Sequence, residues 1–130
     1  MLRGLHFQTP PHGHAKLVLC LFGAVFDAVV DLRQGSPADG QFFTLELSAA
    51  KRNMLYVPKG LAHGFYVPSG EALMLYKTST VHAPAHDAGI RWDSAGIPWP
   101  GSKPLVSARD AAFAPLAEFK SPFAFPPGAS

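Results

Sequence analysis

Residues 16–33 read KLVLCLFGAVFDAVVDLR, and this stretch decides the fold class. Two runs dense in aliphatic and β-branched residues, 16–22 and 24–33, meet at the single Gly23, which leaves room only for a tight reversal between antiparallel strands. Outward from it the same texture recurs to about residue 80, with short apolar or aromatic runs at 4–8, 42–47, 54–57, 62–67 and 72–78. The dividers carry turn chemistry: Gln34-Gly35-Ser36-Pro37 with Asp39-Gly40, then Pro58-Lys59-Gly60 and Pro68-Ser69-Gly70. Short strands with close turns predict an all-β sandwich or barrel.

After residue 80 the character changes. Pro84, Pro98, Pro100 and Pro104 break any long element, and Trp92 and Trp99 are the expected anchors of a tail wrapped on the barrel. Residues 107–118 predict one short helix, with Ser107 as N-cap and Asp110 where a capping-box acid sits. Residues 121–130, rich in Pro and Phe, are expected to be poorly ordered unless a partner covers them. The expected organisation is one domain over 1–130, a barrel core of about 2–80 and a tail of about 81–130.

Composition narrows the function classes. A hydrophobic fraction of 48% against 15% charged residues, with a mean hydropathy of +0.11, predicts that some apolar surface meets another subunit. Eleven basic against nine acidic residues give a net charge of +2, too even a balance for a nucleic-acid partner. Cys20 is the only cysteine and lies in an apolar run, so no internal disulfide is expected. The longest charge-free apolar run, 17–26, is far short of the roughly 20 residues that span a bilayer. Residues 1–6 hold no apolar core of a signal peptide, and a cytoplasmic protein with no membrane partner is the expectation.

Pro58-Lys59-Gly60-Leu61-Ala62-His63 places a histidine just past a Pro-Gly turn as the chain enters a strand, a pattern similar to the second motif of cupin barrels. His12-Gly13-His14 resembles the His-x-His of the first cupin motif, where two imidazoles join a third histidine and a glutamate on a metal. The glutamate is absent here. Ala15, Lys16, Leu17 and Val18 follow instead, and a lysine beside a metal repels it, so no metal and no cofactor is expected and His12 and His14 read as loop residues.

The most informative stretch is Leu2-Arg3-Gly4-Leu5-His6-Phe7-Gln8. Together with Ala15-Lys16-Leu17-Val18, Gly23-Ala24-Val25-Phe26-Asp27, Val30-Asp31-Leu32-Arg33-Gln34-Gly35-Ser36-Pro37, Ala62-His63-Gly64-Phe65, Leu75-Tyr76-Lys77 and Gly89-Ile90-Arg91-Trp92, it closely resembles the dTDP-4-dehydrorhamnose 3,5-epimerase family. The resemblance runs from Leu2 to about Glu118. It implies a cupin jelly-roll (double-stranded β-helix) barrel with a short helical or loop tail, homodimeric, free of metal, acting on a dTDP-4-keto-6-deoxy sugar. It further implies that His6 is the catalytic base, Asp110 its paired carboxylate, Tyr76 the acid and Lys16 a cation at the sugar. Arg3, His63, Gln8 and His82 fall at positions implied to bind the nucleotide sugar.

Elementary chemistry supports such roles. The hydrogens at C3 and C5 of a 4-keto sugar are acidified by the carbonyl, so inversion needs a base on one face, an acid on the other and a cation near the enolate oxygen. Imidazole titrates near neutrality, and a carboxylate partner fixes its tautomer. Bland alternatives stay open: His6 as the polar end of an edge strand, Tyr76 as a core aromatic, Asp110 as a capping acid and Lys16 as a snorkelling strand lysine. In a regular strand Arg3 and His6 point to opposite faces, and a distortion at Gly4 is the expected reconciliation.

Three departures from the family pattern bear on function. Family members carry a further N-terminal segment ahead of the motif that begins here at Leu2, and the expectation is that this chain lacks it. His82 stands where a tyrosine is common, and Asp87 where a glutamate is usual. The leading reading is epimerisation at C3, C5 or both. A truncated sugar-nucleotide-binding cupin without catalysis is the alternative, and a metal-dependent cupin enzyme built on His12, His14 and His63 is the third.

Overall fold

The computed structural model describes residues 1–68, 70–101 and 104–125. Eight strands build it: β1 (Leu2–Gln8), β2 (Lys16–Phe22), β3 (Ala24–Asp31), β4 (Phe42–Ser48), β5 (Met54–Val57), β6 (Leu61–Tyr66), β7 (Leu73–Thr78) and β8 (Asp87–Gly89). They form a five-stranded sheet ordered β4-β3-β6-β1-β8 and a three-stranded sheet ordered β5-β2-β7, with antiparallel neighbours throughout. The two sheets pack face to face through Val18, Cys20 and Val57 on one side and Val25, Val29 and Leu47 on the other. The fold is all-β, as the strand texture predicts.

β3 explains why the larger sheet needs a second cover. Its residues from Ala28 to Asp31 are buried on both strand parities, not on alternate ones. Val25 and Val29 face the smaller sheet, whereas Ala28 and Val30 belong to a separate core with Leu5, Phe7, Ala62 and Ile90. Ile97, Trp99, Leu116, Phe119 and Phe123 from the tail pack onto that second core. The tail is thus the outer layer of the sheet, which is why Phe123 is only 8% exposed.

Several expectations need correction. β1 begins at Leu2, two residues earlier than expected, because Leu2 and Arg3 already pair with Tyr66 and Phe65 of β6, and the Leu2 N–H also donates to the Leu105 carbonyl at 2.8 Å. β3 stops at Asp31, not at 33: the Asp31 carboxylate accepts from the Arg33 backbone N–H, the Arg33 guanidinium and the Ser36 hydroxyl, and these bonds turn the chain. The helix expected over 107–118 is one α-turn, α1 (Ala108–Ala111), followed by a separate 3-10 turn at Leu116–Glu118. Pro115 divides them, since it lacks an N–H and biases the preceding residue away from helix. β8 lies inside the stretch expected to be only tail. Residues 121–125 are not loose: the Gln34 N–H donates to the Phe123 carbonyl and the Phe125 N–H to the Gln34 carbonyl, and Phe123 sits in the core. Ser69 of the 68–70 turn and residues 126–130 of the expected loose tail lie outside the described residues.

The distortion at Gly4 is present. β1 pairs with β6 through Arg3↔Phe65 and His6↔His63, with a register shift between them. Gly4 has φ +131°, and a Cβ there would lie 2.6 Å from the Gly64 Cα. Two glycines therefore let β1 and β6 approach where the shift occurs, and Arg3 and His6 come to border the same cavity. Gly4→Ala is expected to lower unfolding free energy by about 2 kcal/mol or more, since it adds φ strain to a backbone clash. Gly40→Ala, also at positive φ but with open space around its Cβ, should cost only about 1 kcal/mol. Urea denaturation of both variants measures the difference, and equal losses would show that the Gly4–Gly64 approach is not tight.

Candidate active site

A cavity of about 300 Å³ opens between the two sheets. The larger sheet supplies one wall with His6 from β1 and His63 and Phe65 from β6; the smaller sheet supplies the other with Lys16 from β2 and Tyr76 and Thr78 from β7. Strand parity explains this placement. Lys16 follows Val18 and Cys20 on the inward face of β2, and Tyr76 is the cross-strand partner of Val18. Arg3, His14 and His82 complete the lining.

Each wall histidine is held by its own carboxylate. His6 Nε2 donates to Asp110 Oδ1 at 2.7 Å, and Asp110 Oδ2 accepts from the Gly4 backbone N–H at 3.1 Å. Asp110 is 3% exposed, and its own N–H donates to the Ser107 hydroxyl at 3.1 Å. The capping contact and the histidine contact thus coexist in one residue. With Nε2 bonded to Asp110, Nδ1 is the ring nitrogen of His6 left to take up a proton. His63 Nε2 lies 2.9 Å from both oxygens of Asp27. This second pair is more enclosed, with the His63 side chain 3% and the Asp27 side chain 0% exposed.

Asp27 is the residue that sequence reasoning missed. It ends the motif Gly23-Ala24-Val25-Phe26-Asp27, which by itself assigns it no role. The available signal was parity: an acid between Val25 and Val29 on the inward face of an apolar strand requires a buried partner, and His63, paired with Val29, is the polar residue diagonal to it on that face.

Burial sets the protonation of the opposite wall. It pushes the Lys16 ammonium below the ordinary lysine pKa, with Asp87 and Asp27 opposing part of the shift. It pushes the Tyr76 phenol upward, and the negative Asp27 adds to the effect. Tyr76 therefore keeps its proton at neutral pH and is a donor to whatever enters. Its ring meets that of His63 nearly perpendicularly, with centroids 6.0 Å apart. Burial, then the positive charge of Lys16, also depresses the pKa of His14, whose Nδ1 is buried with no partner among the described residues.

Gln8 does not line the cavity. It is 3% exposed, its amide donates to the His12 carbonyl at 2.7 Å, and its carbonyl accepts from the Ala83 N–H at 2.9 Å. Gln8 ties the β1–β2 loop to the stretch that carries His82. His12 stacks against His86 with centroids 4.4 Å apart, away from His63. Among the described residues no group of three or more His, Cys, Asp or Glu side chains is arranged to hold a metal ion. Among those same residues no helix is long and apolar enough to cross a membrane.

Comparison with known proteins supplies the context. The family model described as dTDP-4-dehydrorhamnose 3,5-epimerase matches residues 1–118. The chain is 44% identical over 112 residues to the dTDP-4-dehydrorhamnose 3,5-epimerase of Shigella flexneri, covering 85% of this chain and 62% of that one. It is 45% identical over 119 residues to the enzyme of the same name from Salmonella typhimurium, covering 89% and 64%. The chain thus spans less than two thirds of the length of these relatives. Among solved structures, the Bacillus anthracis enzyme with TDP and PPi bound superposes with a TM-score of 0.87 at 38% identity, covering 89% of this chain and 67% of that one. The Legionella pneumophila enzyme in complex with dTDP-4-keto-L-rhamnose gives 0.87 at 39% identity, covering 92% and 64%. The likeness identifies the two-sheet fold as a cupin jelly roll.

Lys16 yields a test of the cavity's electrostatics. A lysine whose native pKa is depressed binds fewer protons folded than unfolded between that native value and the ordinary 10.5, so stability rises with pH across that interval. Below it the buried charge costs stability. Lys16→Met should therefore unfold at higher urea concentration than the wild type at pH 7, with the advantage shrinking as pH approaches 10.5. A constant difference at all pH values would show that the ammonium is not desolvated.

Proposed function

The chain belongs to the dTDP-4-dehydrorhamnose 3,5-epimerase family, and from that premise we propose that it epimerises a dTDP-linked 4-keto-6-deoxy sugar at C3, C5 or both. The observation that carries this reading is the opposition of the two cavity walls. A carboxylate-held imidazole, His6 with Asp110, stands on one sheet, and a phenol that keeps its proton, Tyr76, stands on the other beside the cation Lys16. Inversion at a carbon next to a carbonyl needs this division of labour, with the proton leaving one face and another arriving at the opposite face.

In this mechanism His6 Nδ1 removes the acidified proton while Asp110 stabilises the imidazolium that results. Lys16 holds the developing enolate oxygen, where a charge in a confined cavity acts more strongly than in water. Tyr76 then delivers a proton from the facing wall. His63, backed by Asp27, offers a second hydrogen-bonding group on the His6 wall. Arg3, at the cavity edge, supplies a cation for the diphosphate, and His82 an imidazole plane for the base.

We take residues 1–130 as one barrel unit, working in the cytoplasm and pairing as a homodimer. Support for pairing comes from the outer face of the smaller sheet, where Leu21, Met54, Tyr56, Leu73 and Leu75 are all at least 40% exposed. β2 and β3 are interior strands, so added strands have only β4, β5, β7 and β8 to join. Sedimentation at micromolar concentration should give twice the 13.9 kDa chain mass; a monomer alone would remove the dimer from the proposal.

Solvent deuterium incorporation into dTDP-4-keto-6-deoxyglucose tests the chemistry, since exchange reports proton removal even without net product. His6→Ala should abolish exchange, and Asp110→Asn should lower it by about a hundredfold or more. The double variant should be little worse than His6→Ala alone, because the two groups act as one unit. Tyr76→Phe should retain exchange but lose inversion. A wild-type protein that binds the nucleotide sugar yet exchanges no proton would be a binding cupin, and the epimerase reading would fall.

A further inference from the structure

The α-turn that brings Asp110 to His6 also brings Phe113, three residues on. The Phe113 ring meets the His6 imidazole nearly perpendicularly, at 80° with centroids 5.8 Å apart. Its seat is built into the sheet. His6 pairs with Gly89 across β1 and β8, and a Cβ on Gly89 would lie 2.7 Å from Phe113 Cδ2 and 2.6 Å from the Leu5 carbonyl oxygen. The missing side chain at position 89 is the slot that the Phe113 ring occupies. Arg109 covers that ring, its guanidinium carbon 5.4 Å from the centroid, and Arg109 is itself tied to Asp87 of β8 at 2.8 Å.

We propose that Phe113 is a positioning residue for His6: its ring, seated over Gly89 and covered by Arg109, holds the imidazole in the orientation that keeps Nε2 on Asp110. One hydrogen bond alone leaves an imidazole free to swing about its Cβ–Cγ bond. A ring packed edge-to-face against it opposes that swing, and the two restraints come from one short stretch of chain, residues 110–113. The side chain of His6 is 27% exposed, so packing by its neighbours does not otherwise enclose it. The catalytic consequence rests on the epimerase reading above, whereas the orientation itself does not.

The experiment therefore reads both. In protein labelled with nitrogen-15 at histidine, the His6 Nε2–H resonance, assigned by its loss in His6→Asn, should be protected from water exchange. Phe113→Leu keeps an apolar filler and should unfold within a few degrees of the wild type, yet its Nε2–H should exchange at least tenfold faster. Phe113→Tyr should restore the protection. With the 4-keto sugar, Phe113→Leu should lower kcat by about tenfold to a hundredfold with KM within twofold, as expected for a misaimed base. If the Nε2–H of Phe113→Leu is as protected as in the wild type, the proposal is overturned. If the wild type processes no 4-keto sugar while the resonance still responds to Phe113, the functional reading fails and the positioning role stands.

Discussion

A sheet that is apolar on both faces has to be covered on both faces, and most of this molecule follows from that requirement in the β4-β3-β6-β1-β8 sheet. One face packs on the smaller sheet through Val25, Val29 and Leu47; the other presents Leu5, Phe7, Ala28, Val30 and Ala62. Those five side chains, exposed to water, would forfeit about 1.5–3 kcal/mol for each of the larger ones. The tail must therefore cross the outer face. In crossing it donates β8 to the sheet edge and brings Asp110 up to β1. The residue that orients His6 arrives from 104 positions away because the core needs the segment that carries it.

The interior between the sheets obeys a different balance. Asp27 and His63 are buried where aliphatic residues would pack more favourably, and Lys16 and Tyr76 turn toward the cavity, although Tyr76 as a whole keeps 40% of its surface exposed. The Asp27–His63 pair meets its desolvation cost with two short contacts, but Lys16 has no carboxylate within salt-bridge distance among the described residues. A cationic amine left partly uncompensated in a small cavity lowers stability, and proteins tolerate that cost where a ligand supplies the missing charge. The unpartnered Nδ1 of His14 at the same cavity is a second polar group of this kind.

How much of this was legible in the sequence depended on local signals. The seven longer strands announced themselves through aliphatic runs and Gly or Pro turns, with ends shifted by one or two residues. β8 did not, because three residues, Asp87-Ala88-Gly89, carry no periodicity, and their pairing is dictated by β1. The helix over 107–118 failed at Pro115, whose effect outweighs the good helix formers around it. At the site, His6, Lys16, Tyr76 and Arg3 border one cavity, and the Gly4 irregularity foreseen from parity is there. Asp27 was within reach of the same parity argument. The seat of Phe113 over Gly89 was not, since it depends on a strand pairing that the sequence gives no means of finding.

The two-sheet architecture bears on how any base chemistry here must run. His6 and His63 are direct cross-strand partners on the larger sheet, so both imidazoles approach a bound molecule from the same side. Tyr76 and Lys16 approach from the other, and the Tyr76 ring already packs edge-on against that of His63, with centroids 6.0 Å apart. On the epimerase reading, a six-membered ring bound between the walls turns one face toward His6 and the other toward the phenol. A single strand offers no such arrangement, because its inward residues all project from one wall.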